Sequence, residues 1–270
     1  MYEPLAPLPT FNALAKSPEL VSVLDKVRFG PLSDDYEYGE FLWFIREYPR
    51  VYRHHYDHAG HRLSAIHQAY QDHHTSAEAL IRRNFDHPTR EGGTLQEYSY
   101  SNRDVSPIYW DFESYLQAIS SALDIVARVV GTAFKQDTPP NFNRFCKKAP
   151  DSELKDVFVR AQYRWVKRMK AYRDCFIHFT SIDTLLTVQI KRYSGVWQLR
   201  TKLPINPEAR DIISFRYSRR VELLRYATTV WKHLAAFDRS VAKVLWRLYK
   251  QGSYPQKTSG LFFLGRGVSS

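Results

Sequence analysis

Hydrophobic positions recur along this chain at spacings of three and four residues, in four long stretches separated by proline- and glycine-marked breaks. The first, about residues 38–85, opens with Phe41, Leu42, Phe44, Ile45 and Tyr48 and turns strongly polar from Arg50 onward. Pro49 and Gly60 predict either two helices or one kinked helix there. A loop is expected over 87–105, around Pro88, Gly92 and Gly93. The second stretch starts at Ser106, a good N-cap residue, with Pro107 at the first helical position. It carries Leu116, Ile119, Leu123, Val126, Val130 and Ala133 along one face. Pro139, Pro140 and Pro150 then bracket a basic loop.

The third stretch has the cleanest pattern, with Asp151 or Ser152 as cap and Leu154, Val157, Phe158, Ala161, Trp165, Met169, Tyr172, Phe176 and Phe179 on one side. Residues 184–203 differ: TVQIKRY, Ser194-Gly195 and VWQLRTKL alternate in part around a turn signal, which fits a small hairpin or an ordered loop. The last stretch, from Arg219 to Lys250, aligns Val221, Leu224, Thr228, Trp231, Leu234, Val241, Leu245 and Leu248. The fold class expected is all-α, a bundle of long antiparallel helices, with the segment before the last helix open to either a small hairpin or a loop. An N-terminal helical extension over 1–105 would pack on a helical domain of 106–250, followed by a flexible 251–270 tail.

Composition adds a partner class. Lys and Arg number 39 against 28 Asp and Glu, and this net charge of +11 favours polyanions, nucleic acid ahead of membranes. No apolar run reaches the roughly 18 residues of a membrane helix, and the N-terminus lacks a signal-peptide pattern. Cys146 and Cys175 offer neither metal spacing nor a disulfide framework, so the expectation is a cytoplasmic protein with reduced thiols and no cofactor.

Candidate chemistry lies near the end of the third stretch, in Tyr172-Arg-Asp-Cys-Phe-Ile-His-Phe179. At about 100° per residue from Leu154, Asp174 falls at roughly 200° and His178 at roughly 240°, opposite the apolar stripe and in i, i+4 reach of each other. Arg173 lies on the flank, at roughly 100° on the same count. Arg160, Arg164 and Lys167 form a basic stripe on the polar side, suited to a phosphate backbone. A histidine near its free pKa can take a 2′-hydroxyl proton at neutral pH, and an arginine can hold the phosphate. A neighbouring aspartate orients the histidine and favours its charged form.

This R-D-x-x-x-H string near a helix end, followed by L-P-I-N-P-E-A-R and a helix with S-R-R-V-E-L-L, resembles the HEPN superfamily over about 106–250. The resemblance implies a metal-independent endoribonuclease, a toxin or defence effector. In that reading Arg173, Asp174 and His178 are catalytic, Arg160, Arg164 and Lys167 bind RNA, and the product is a 2′,3′-cyclic phosphate. It also implies a homodimer that brings two motifs into one cleft, and a cognate antitoxin or regulatory protein as partner. Non-catalytic HEPN-like modules that bind nucleic acid or protein are the first alternative.

R-x-x-x-x-H also occurs at Arg50–His55, Arg53–His58, Arg62–His67 and Arg82–His87, and Arg53-His54-x-x-x-His58 shares the polar second position. Eight of the 10 histidines lie from His54 to His87. His54, His58 and His61 share a face at metal-ligand spacing, which makes a histidine-rich metal-binding bundle the second alternative. Interspersed arginines weigh against a bound cation there. Trp165 and Trp231 read as core, Cys175 as a small buried filler, His233 as surface, and Asp238-Arg239 as a solvated face.

Overall fold

A computed structural model describes residues 17–28, 39–86, 97–101, 106–134, 141–178, 187–193, 196–210 and 212–254. The chain is predominantly helical, as the periodicity requires. Its elements are α1 (Glu19–Arg28), α2 (Gly39–Asp86), β1 (Glu97–Ser101), α3 (Ser106–Gly131), α4 (Phe142–Lys148), α5 (Glu153–Ala161), α6 (Lys167–His178), β2 (Thr187–Tyr193), β3 (Val196–Pro204), β4 (Tyr217–Glu222) and α7 (Leu223–Lys250). A single π-helical turn, Gln162–Val166, joins α5 to α6, and Lys167 N–H donates to Gln162 O across it.

The structure separates into two compact units. One comprises residues 1–13, 60–116 and 171–229; the other comprises 14–59, 117–170 and 230–270. Each draws residues from both sides of position 106.

The first unit holds the sheet, an antiparallel four-stranded one in the order β1-β2-β3-β4. Of the two readings of the alternating segment the paired strands hold, as β2–β3, with Tyr193 opposite Val196. Two further strands lie where other structure was expected. β1 occupies part of the segment read as loop, where Tyr98 and Tyr100 alternate with polar residues in a run too short to stand out. Arg219 to Glu222, read as the start of the last helix, is strand: β4 pairs with β3, with a register shift between Lys202 and Pro204. Against the sheet, Tyr109 of α3 donates to Lys202 O at 3.2 Å and Tyr172 of α6 donates to Pro204 O at 2.5 Å. Phe112, Tyr115, Tyr172, Phe176 and Leu224 fill the core, with Phe112 and Phe176 edge to face at 5.4 Å.

Core packing in the second unit centres on four phenylalanines. Phe158 lies 4.9 Å from Phe142, 4.5 Å from Phe145 and 5.1 Å from Phe237, ring centre to ring centre. Around them sit Leu123, Val126, Leu154, Val241 and Leu245, all from the expected apolar stripes. Trp165 and Trp231 are buried here, and Cys175 is buried in the first unit, as read.

Carboxylates start several helices. Ser152 caps α5 through Lys155 N–H, a local cap. Three others come from a distance or from the preceding strand. Asp124 of α3 accepts Phe142 N–H at the start of α4, at 2.9 Å. Glu222 accepts the amides of Leu224 and Arg225 at the start of α7, together with the Tyr70 hydroxyl. Asp238 accepts Glu19 N–H at 2.6 Å, Leu20 N–H at 3.3 Å and the Tyr52 hydroxyl at 2.9 Å. These bonds satisfy amides that a helix leaves unpaired, and negative charge there complements the helix dipole.

Asp238 therefore corrects the solvated-face reading: it is 2% exposed. Fourteen residues after Leu224, at about 100° each, it falls within roughly 40° of that core position. Helix α2 also runs unbroken through Pro49 and Gly60, so the alternative of two helices falls. Proline in a helix interior costs about 3 kcal/mol, and here the residue is buried. Helix α7 ends where Gly252, at φ 68°, donates to Tyr249 O and Ser253 N–H donates to Leu248 O. This left-handed position admits glycine without strain.

Candidate functional site

Arg173 and Asp174 lie in the penultimate turn of α6, within the first unit. Tyr172 and Phe176 on the same turn are buried, which fixes the helix and turns the intervening pair toward its rim. The Arg173 side chain is 29% exposed and that of Asp174 46%. Arg173 Nε and Nη2 both donate to Asp174 Oδ1, at 3.0 and 2.6 Å. Adjacent residues on a helix do not normally face each other, so the long arginine curls sideways to make this contact. Two donors on one oxygen set the guanidinium plane. His178 is the last residue of α6, one helical turn beyond Asp174, and its side chain lies outside the described residues.

Arg160, Arg164 and Lys167 are all exposed, on the second unit. The π turn falls within this stripe. Because a π turn holds about one residue more than an α turn, Arg160 and Lys167 stand farther apart in angle than a uniform helix places them. Arg164 lies beside His233, whose ring stacks on Trp165 at 6.0 Å and 19°. His233 is thus a half-buried partner of the core rather than plain surface. Burial first, and then the charge of Arg164, hold its pKa below the ordinary histidine value. Arg164→Gln should raise that midpoint modestly in an NMR titration; an unchanged or lower midpoint would contradict the contact.

The competing histidine segment is arranged differently. Arg53 pairs with Asp57 at 3.5 Å, and the His54 and His58 rings stand 6.3 Å apart. Burial, then His54 and His58, lower the pKa of His55. Among the described residues, no three histidine, cysteine or acidic side chains gather closely enough to hold a metal ion. Arg82 and His87 of the fourth R-x-x-x-x-H string have side chains outside the described residues. Burial pushes the pKa of the Cys146 thiol up to about 11 against the opposing charges of Lys170 and Lys155, which disfavours its thiolate.

No described helix is long and apolar enough to cross a membrane. Comparison with family models, curated proteins and solved structures finds no match to this chain.

The α7 surface was missed by the sequence reading. Lys232, Arg239 and Lys243 are exposed on it, and a helical wheel with the basic residues marked would have found their alignment.

Proposed function

We propose that this protein is a metal-independent endoribonuclease of HEPN type, acting as a homodimer on RNA. The observation that carries the reading is the Arg173–Asp174 pair: a guanidinium held in one plane at the rim of α6, one turn ahead of a histidine. A fixed guanidinium suits two-point binding of a phosphate's non-bridging oxygens, which gain charge in the transition state. His178 takes the proton of the 2′-hydroxyl, the 2′-oxygen bonds to phosphorus, and the bond from phosphorus to the 5′-oxygen breaks. The departing 5′-oxygen takes up a proton, which balances the one removed and leaves a 2′,3′-cyclic phosphate. Asp174 positions Arg173. Arg160, Arg164 and Lys167 hold the RNA backbone by charge.

The test is RNA incubated in EDTA with wild-type protein, His178→Ala and Arg173→Ala. Cleavage by the wild type should leave cyclic-phosphate ends, and each variant should be slower by at least about 100-fold. Absent cleavage, or equal cleavage by His178→Ala, would leave a non-catalytic binding module as the better reading.

A further inference from the structure

We infer that the solvent face of α7 is a docking surface for a double-stranded stretch of RNA. In the second unit this face carries Lys232, Arg239, Lys243, Arg247 and Lys250, all exposed. With Lys232 at zero and about 100° per residue, the five fall within an arc of roughly 80°. The stripe runs about 27 Å at 1.5 Å per residue. Along it α7 contributes no acidic residue, for its one aspartate in this unit, Asp238, is turned inward and buried.

Fold-level needs account for only one end of this row. Arg247 pairs with Glu153, and together with Lys250 it complements the negative end of the helix dipole. Lys250 also sits over the Trp246 ring at 5.3 Å, with Lys26 of α1 at 4.9 Å. Neither the dipole nor an ion pair explains Lys232, Arg239 and Lys243, which stand in mid-helix. Among the described residues, no carboxylate pairs with any of these three.

Which polyanion fits follows from what lies between the cations. Ala236 lies within this arc and Ser240 borders it, roughly 20° beyond one edge, both exposed and small; Trp246 borders the other edge at a similar angle, half-buried, with Lys26 and Lys250 over its ring. A membrane-surface helix would offer large apolar or aromatic side chains on its exposed side. A single-strand groove would offer rings for bases to stack on. Between its cations the arc has neither, and the Trp246 ring at its edge is occupied by the Lys26 and Lys250 ammonium groups rather than open for a base or a lipid chain. A straight row of cations instead matches the regular phosphates of a duplex, read by shape and charge. The choice of RNA over DNA rests on the ribonuclease reading; the row itself asks for a duplex backbone.

The experiment measures binding of an RNA duplex of about 16 base pairs by the full chain carrying His178→Ala, so that the probe stays intact. Adding Lys232→Glu, Arg239→Glu and Lys243→Glu should weaken binding by at least 10-fold. It should also flatten the dependence of log affinity on log salt by about three, near 0.9 per lost contact. A Lys232→Gln, Arg239→Gln, Lys243→Gln chain with an unchanged melting temperature should show the same loss, which separates lost binding from lost folding. Undiminished binding by either triple variant, or tighter binding of the single strands than of the duplex, would overturn the proposal. A DNA duplex held as tightly as RNA would overturn the choice of RNA. Duplex binding without any cleavage by the wild-type chain would sink the ribonuclease reading and leave the duplex surface standing.

Discussion

Phe158→Ala should lower the unfolding free energy by about 3–5 kcal/mol, the range for emptying a fully buried aromatic site. Phe158 has no exposed surface, and three phenylalanine rings from two other helices close around it within 4.5–5.1 Å. Alanine removes the ring that all three touch. Phe142 and Phe145 belong to the short helix α4 and Phe237 to α7, so the hole is bordered by elements that cannot all move inward together. Phe158→Leu keeps most of the volume and should cost clearly less. Urea unfolding followed by circular dichroism measures both. A loss below about 1 kcal/mol for the alanine variant, well under the usual range, would show that this cluster does not organise the core.

Asp238→Ala should rank next, at about 2–4 kcal/mol, because it strands buried donors on two helices. The Tyr52 hydroxyl is fully buried and the Glu19 and Leu20 amides lose their cap. The same carboxyl predicts a pH effect. Burial raises its pKa from 3.8 to about 6, against the lowering effect of the bonds from Tyr52, Glu19 and Leu20. Between those values the folded chain binds a proton that the unfolded chain has released. Its contribution is therefore fully present below pH 3.8 and lost as pH rises through about 6, a span worth up to about 3 kcal/mol. Stability relative to Asp238→Ala should thus fall from pH 4 to pH 7 while remaining favourable. A difference that instead grows over that interval would contradict the assigned direction.

Much of the helical framework was legible because burial imposes a period that residue order displays. The stripes on α3 and α5–α6 are buried position by position, from Leu116 to Ala133 and from Leu154 to Phe176. What escaped had no such period. β1 shows only two tyrosines in alternation, and β4 opens the apolar series of α7, so it reads as helix until its pairing with β3 is seen. Asp238 was misread because a carboxylate suggests solvent; its angle among Leu234, Val241 and Leu245 carried the contrary signal. At the candidate site, residue type and spacing located Arg173 and Asp174. Their mutual bond did not follow from spacing, since neighbours on a helix ordinarily diverge. The π turn was equally hidden, for the +4, +4 steps from Ala161 through Trp165 to Met169 also suit an ordinary helix.

The bond from Glu19 to Asp238 spans 219 positions in the sequence. During synthesis, α1 must wait for a carboxylate made 219 residues later. At roughly 5–20 residues per second that delay is about 10–40 s. Through that interval α1, only 10 residues long, lacks its distant cap, and an isolated helix of that length is marginal in water. The long-range bond thus sets an order of events on the ribosome: α1 gains its cap only after the chain has passed Asp238, and a chain halted earlier emerges with α1 still open to proteases.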